Sequence, residues 1–331
     1  MKFNITRLLI LSLLLFSTSG HAATIKIATL SPDGTTWMKK MRSAAKDIAT
    51  QTSNRVKIKF YPGGVMGNEN AILRKMRINQ LQGAAVSSGA LTRYYQDASI
   101  YGMPFLFNSH AEALYVRSKM DKLIIQGLEE KGLVSFGFAE SGFAYILSNT
   151  PVKEVNELRQ LKAWIPDSEE ARQAATAFKF KPIPLPFSDV LAGLQTSLIN
   201  TIASSPIAAI ALQWHSQVKY LTDMPLLYGS ATLVISKSAM KKLKENDRKI
   251  VNKIMSETFA VIDKENQKDN VDALAALKNQ GITFVKPGDK QHAEWKELAR
   301  AGNANMVKKG FNSKKMYNLV NKYIAEYQKQ K

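Results

Sequence analysis

The chain has 331 residues, 45% of them hydrophobic and 22% charged, a balance that excludes a disordered polymer and suits one large or two ordinary globular domains. It contains no cysteine, which excludes disulfides, thiol nucleophiles and thiolate metal sites together. The formal net charge is +19, but the lysines are scattered in pairs such as Lys39-Lys40, Lys308-Lys309 and Lys314-Lys315, as on solvated helix faces, and no nucleic-acid-binding stripe emerges.

Lys2 and Arg7 precede the apolar run Leu8 to Phe16, and small residues then lead to Gly20-His21-Ala22. This pattern predicts a signal peptide over 1–22, cleaved after Ala22, because the run is too short to span a bilayer. An exported, cysteine-free chain fits the periplasm of a Gram-negative cell.

Beyond the leader, Thr24 to Thr29 alternates as a strand and is followed by the turn Ser31-Pro32-Asp33-Gly34. Thr36 to Gln51 carries Trp37, Met38, Met41, Ala44, Ala45 and Ile48 at helical spacing, and Val56 to Tyr61 alternates again. Strand, helix and strand in that order predict a parallel βαβ unit. Helices are expected over Asn68 to Asn79, Ser109 to Gly132, Ser168 to Phe178 and Pro186 to Gln195. Strands are expected at Ala84 to Ser88, Leu133 to Phe138, Phe143 to Ser148, Leu161 to Ile165 and Leu226 to Ser236. From Asn246 a helix runs past Leu277 to Gly281, with Asp247 placed to cap its start. A helix of that length without a sustained heptad suits a strut crossing two lobes. The expected fold class is therefore a two-lobed α/β binding protein with its cleft between the lobes. Lobe I would comprise 23–141 and 230–265, and lobe II 142–229 and 266–331.

Little in the sequence suggests catalysis. His110, His215 and His292 are far apart, and none has a metal-ligand partner one helical turn away. No nucleophile elbow and no Walker lysine occurs. Pro62 to Gly67 is Gly-rich and reads as a tight strand-to-helix turn. Glu69, Glu140 and Asp189 are isolated carboxylates without a partner that spacing establishes. Neither an enzyme, a cofactor nor a metal site is expected; what remains is capture of a small molecule in a cleft.

Three motifs carry a resemblance. Phe60-Tyr61-Pro62-Gly63-Gly64-Val65-Met66-Gly67-Asn68-Glu69, Met103-Pro104-Phe105-Leu106-Phe107 and Ile183 to Thr196 resemble, in order, segments of the solute-binding proteins of tripartite ATP-independent periplasmic (TRAP) transporters. The resemblance implies two α/β lobes, a long helix spanning both, closure on a solute, and delivery to TRAP membrane subunits.

In that family the typical ligand is an organic anion, held by an arginine in a stretch of the form L-K-x-R-V-P. The corresponding stretch is Leu161-Lys162-Ala163-Trp164-Ile165-Pro166, with tryptophan in the arginine's place. The family's ligand-touching asparagine falls on Ser204, and a further arginine of some members falls near Ala144, between Phe143 and Tyr145. Phe187 is retained, and Glu69 closes the first motif. The expected ligand residues are thus Trp164, Phe187, Ser204, Phe143, Tyr145 and Glu69. Their character predicts a hydrophobic or amphipathic ligand, such as a lipid or long-chain acid. The chain is similar in this to an arginine-lacking offshoot of the family that works with a periplasmic tetratricopeptide-repeat partner. Two alternatives stand beside this reading: a conventional organic acid neutralised by Arg93 or Lys162, and a lipid carrier or interaction module outside transport. Lys162 would point away from the Trp164 face of a strand, which weakens the first.

Overall fold

The computed structural model describes residues 22–330. The expected leader lies outside them apart from its last residue. Eleven strands are present among these residues: β1 (Ala23–Thr29), β2 (Val56–Tyr61), β3 (Gly83–Ser87), β4 (Leu133–Ser135), β5 (Ala139–Ser148), β6 (Trp164–Pro166), β7 (Ile183–Leu185), β8 (Thr201–Ser204), β9 (Tyr220–Thr222), β10 (Leu227–Ser236) and β11 (Thr283–Val285). The first six α-helices are α1 (Thr36–Gln51), α2 (Glu69–Arg77), α3 (His110–Glu130), α4 (Val155–Arg159), α5 (Glu169–Phe178) and α6 (Val190–Gln195). They are followed by α7 (Pro206–Ala211), α8 (Lys237–Lys241), α9 (Glu245–Asn279), α10 (Asp289–Lys308) and α11 (Lys314–Gln328).

The first lobe begins with the predicted βαβ unit. β1 pairs in parallel with β2 on one side and β3 on the other. Alternation places Ile25 and Ile27 in the core, and α1 covers them with Met38, Met41, Ala44 and Ile48. The helix starts where Thr35 Oγ1 accepts the Met38 N–H, supplying one of the partners that a first helical turn lacks. α2 starts the same way, with Asn68 Oδ1 accepting from Ala71 N–H at 2.9 Å.

One mixed sheet runs through both lobes in the order β11-β9-β5-β10-β3-β1-β2, with β4 on β10 and β8 on β5. Its crossing point is β5, whose first half pairs with β10 and whose last residues pair with β8 and β9. The expected lobe switches at 141–142 and 229–230 fall inside these two strands. There Gly142 faces Gly229, and the register shifts between Gly229 and Ser230. Such a bulge bends a strand and sharpens its twist.

α9 has 35 residues, a length of about 52 Å at 1.5 Å per residue. Val251, Met255, Phe259 and Ile262 pack into the first lobe, and Leu277 into the second. Its start differs from the sequence expectation. Lys244 occupies the cap position, whereas Asp247 is the third helical residue and is held by Arg55, Nη2 to Oδ1 at 2.7 Å and Nε to Oδ2 at 3.0 Å. The last segment also departs from the expected division. α11 lies against α3, and its Met316, Val320 and Ile324 join the first-lobe core, so 266–331 is not wholly a second-lobe segment. α10, in contrast, packs on α5, with Trp295 against Phe178.

Candidate ligand cleft

β6 and β7 form a short parallel pair in which Trp164 stands opposite Ile183. Trp164 is 4% exposed and sits in a cluster with Leu147, Val190, Leu194, Ile202 and Trp214. Phe187 meets the indole edge-on at a centroid distance of 5.1 Å, and Trp214 does so at 5.4 Å. The only donor of the indole is already used: Nε1–H donates to Leu185 O at 2.9 Å. Trp164 therefore offers a solute an apolar wall and no hydrogen bond, because a buried indole N–H is best satisfied within the protein.

This aromatic cluster borders a cavity of about 410 Å³, within the range of small-molecule sites. The first lobe contributes Asn68, Glu69 and Asn70 at the start of α2, Ser87 and Ser88 at the end of β3, and Ser230 on β10. The second lobe contributes Trp164, Phe187, Trp214, Phe178 and the α5 face of Ala171, Ala174 and Ala175. No lysine, arginine or histidine lines the cavity among the described residues, and Glu69 and Asp167 are its only charged side chains. Asp167 is paired with Arg172. Glu69 has no cation partner among the described residues; its carboxylate accepts Ser87 N–H at 2.6 Å and Ser87 Oγ–H at 2.9 Å. Lost hydration in this half-buried position pushes the Glu69 carboxyl above its ordinary value, and the two bonds from Ser87 oppose the shift.

Four of the six expected ligand residues meet here: Trp164, Phe187, Ser204 and Glu69. Phe143 and Tyr145 do not. Side chains alternate along β5, so Gly142, Ala144 and Ile146 face the cavity and the two aromatics between them face away. Phe143 packs against Tyr228 at 5.4 Å, and Tyr145, opposite Ser204, joins the second-lobe core. Ser204 Oγ donates to Ser205 O, whereas Ser205 Oγ is buried with no partner among the described residues. Of the two cations considered for an acid, Lys162 is exposed and donates to Ser197 O, and Arg93 is exposed; neither lines the cavity.

A charged cluster that spacing did not signal adjoins the cleft, which its Tyr228 helps to line. Arg117 of α3 is 4% exposed, and its guanidinium donates to Asp263 Oδ1 (2.9 Å), Asp121 Oδ2 (3.0 Å), Phe138 O (3.0 Å) and Tyr228 Oη (3.1 Å). Tyr228 Oη–H in turn donates to Glu140 Oε2, which also lies 2.7 Å from His110 Nε2. The Asp263 carboxylate accepts the Glu140 backbone N–H at 2.7 Å. The cluster thus joins α3, β5, β10 and α9 where the strands cross. Burial pushes the Tyr228 hydroxyl well above its ordinary value, and the bond to Glu140 raises the imidazole of His110.

Three comparisons bear on this site. The profile of DctP, described as bacterial extracellular solute-binding protein, family 7, matches residues 27–309. The C4-dicarboxylate-binding periplasmic protein DctP of Rhodobacter capsulatus is 24% identical over 266 residues, 78% of this chain and 80% of that one. The sialic acid-binding periplasmic protein SiaP of Vibrio cholerae is 19% identical, over 84% and 87% of the two chains. Among solved structures, the sugar acid binding protein of Advenella mimigardefordensis with galactonate superposes with a TM-score of 0.84 at 17% identity, covering 92% of this chain and 98% of the other. A TRAP solute-binding protein of Xanthobacter autotrophicus with β-D-galacturonate gives 0.82 at 17% identity, covering 91% and 99%.

Proposed function

The chain belongs to the DctP family of bacterial extracellular solute-binding proteins, and on that premise we propose that it is the periplasmic receptor of a TRAP-type transporter for a hydrophobic or amphipathic solute. In this reading the solute is enclosed between the lobes and handed to the membrane subunits. The relatives named above bind organic and sugar acids, so the receptor role and the ligand class are separate claims.

The observation that carries the ligand class is the absence, among the described residues, of any lysine, arginine or histidine from the cavity lining. A carboxylate moved from water into this lining would lose its hydration and gain no cation, a cost of several kcal/mol. An alkyl or polycyclic body would instead bury its surface against Trp164, Phe187 and the α5 alanines, at about 25 cal/mol for each Å². The tryptophan in place of an anion clamp also aligns the chain with the arginine-lacking offshoot, and a periplasmic tetratricopeptide-repeat partner is part of this proposal.

The test is to purify the processed protein without detergent, extract it with organic solvent and identify the released compounds by mass spectrometry. An apolar or amphipathic compound in stoichiometric amount is the expected result. Recovery of a small hydrophilic acid, or a raised melting temperature with succinate or galacturonate, overturns the ligand class and leaves the receptor role intact.

A further inference from the structure

The two walls of the cavity differ in kind, and the difference follows the lobes. On the first lobe, Asn70 and Ser99 line the cavity with no side-chain hydrogen bond to another described residue, beside Glu69 and the Ser88–Ser230 hydroxyl pair at 3.2 Å. On the second lobe the polar groups are occupied by their own elements. Ser168 Oγ accepts Ala171 N–H, Asp167 holds Arg172, Thr201 Oγ1–H donates to Asn200, and Ser204 Oγ–H donates to Ser205 O. What the second lobe leaves free is hydrocarbon: the indole of Trp164, Phe187, Phe178, Met306 and the small α5 face. Ser205 is the exception. It follows Ser204, the partner of Tyr145, and so stands at the edge of the second lobe nearest the crossing.

We propose that the cleft is sided, and that its solute is a single-chain amphiphile whose head donates hydrogen bonds and bears no negative charge. The head lies against the first lobe at Glu69, Asn70 and Ser99, and the chain lies against the second. This deepens the reading of the cavity as a solute site and rests on it.

Two arguments select the head. The Glu69 carboxylate accepts one hydrogen bond at each oxygen, both from Ser87, and keeps lone pairs that only a donor can fill. No cation stands within ion-pair distance of it among the described residues, so an anionic head would face a second carboxylate with nothing to offset the repulsion. A hydroxyl-bearing head satisfies both conditions. The placement also divides the work of capture. The second lobe can take the chain while the cleft is open, and the first lobe reads the head only on closure.

The test uses the processed full-length chain and its own fluorescence, since Trp164, Trp214 and Trp295 all line the cavity. Monolauroylglycerol and laurate share one chain and differ in the head; each is titrated near neutral pH below its micellar concentration, with succinate as control. Monolauroylglycerol should bind at least about tenfold more tightly than laurate, a difference of about 1.4 kcal/mol. Glu69→Gln should narrow that ratio by admitting laurate. Ala174→Phe, or the milder Ala171→Leu, should weaken both probes at an unchanged melting temperature. Laurate binding as tightly as the glycerol ester overturns the sided head site while leaving an amphiphile receptor. Failure of both lauroyl probes overturns the single-chain amphiphile, and the compound recovered by extraction then decides the ligand class separately.

Discussion

His110 Nε2 stands 2.7 Å from Glu140 Oε2, so a side chain that is 40% exposed is bonded to a carboxylate that is 1% exposed on the strand both lobes share. The pair sits beside the pairing of Gly142 with Gly229, where β5 and β10 cross.

The pair predicts a dependence of stability on pH. The imidazole of His110 is raised above its ordinary value of 6.5 by its bond to Glu140. A group raised in the folded state stabilises it fully below the unfolded value, and the contribution is lost as pH rises through the folded value. The melting temperature should therefore fall as pH climbs above 6.5, and His110→Gln should flatten this limb. The ring is partly exposed, so the effect should be about 1 kcal/mol or less. Thermal melts from mildly acidic to mildly basic pH measure it, and an unchanged slope in the variant would refute the assignment.

Arg117 predicts a larger effect. Its guanidinium is buried and bonded to four partners: Asp121 on its own helix, Asp263 on α9, Tyr228 on β10 and the Phe138 carbonyl just before β5. Arg117→Ala leaves Asp263 and Asp121 without their cation, and breaking a buried pair in this way costs about 3–5 kcal/mol. Urea denaturation of the purified variant reads that loss directly. A loss below about 1 kcal/mol would mean that the cluster relaxes when its cation is removed.

Trp164 separates packing from recognition. Trp164→Ala removes a core side chain touching Phe187 and Trp214 and should cost about 3–5 kcal/mol. Trp164→Arg should lose the extracted native ligand, and succinate or galacturonate should then raise the melting temperature. Retention of the native ligand at unchanged affinity would show that the indole contributes nothing to the cleft.

Gly142 tests the crossing. Its φ is +83°, and a Cβ there would stand 2.6 Å from the Asn270 side chain on α9. Gly142→Ala should cost about 1–3 kcal/mol and weaken ligand binding, because Gly142 holds a left-handed conformation in the cavity lining. Gly102→Ala, where a Cβ meets nothing within 4 Å, is the control for stability alone, since Gly102 itself lines the cavity. Calorimetry with the extracted ligand measures the two quantities together.

The parts of this fold that could be read from the sequence were those carried by local periodicity. Alternation in Thr24 to Thr29 and Val56 to Tyr61, and the helical spacing of Met38, Met41 and Ile48, reappear as β1, β2 and α1. The tryptophan of the cleft was legible too, because in Leu161 to Pro166 it stands where the family pattern has an arginine. Phe143 and Tyr145 were misplaced for a simple reason: an offset of one residue along a strand turns a side chain to the opposite face. The charged cluster carried no local signal, since Arg117 lies 146 positions from Asp263 and 111 from Tyr228. Asp247 resembled a helix cap in spacing, yet it answers to Arg55, 192 residues away.

A strand shared by both lobes has a further consequence for β5. Its hydrogen bonds to β10 and to β8 run along one continuous backbone, and α11 returns the end of the chain to the lobe in which it began. Neither lobe can melt without unzipping the strand that the other needs. Heat or urea should therefore take the whole molecule apart in a single cooperative step, and a fragment containing only the second lobe should not fold.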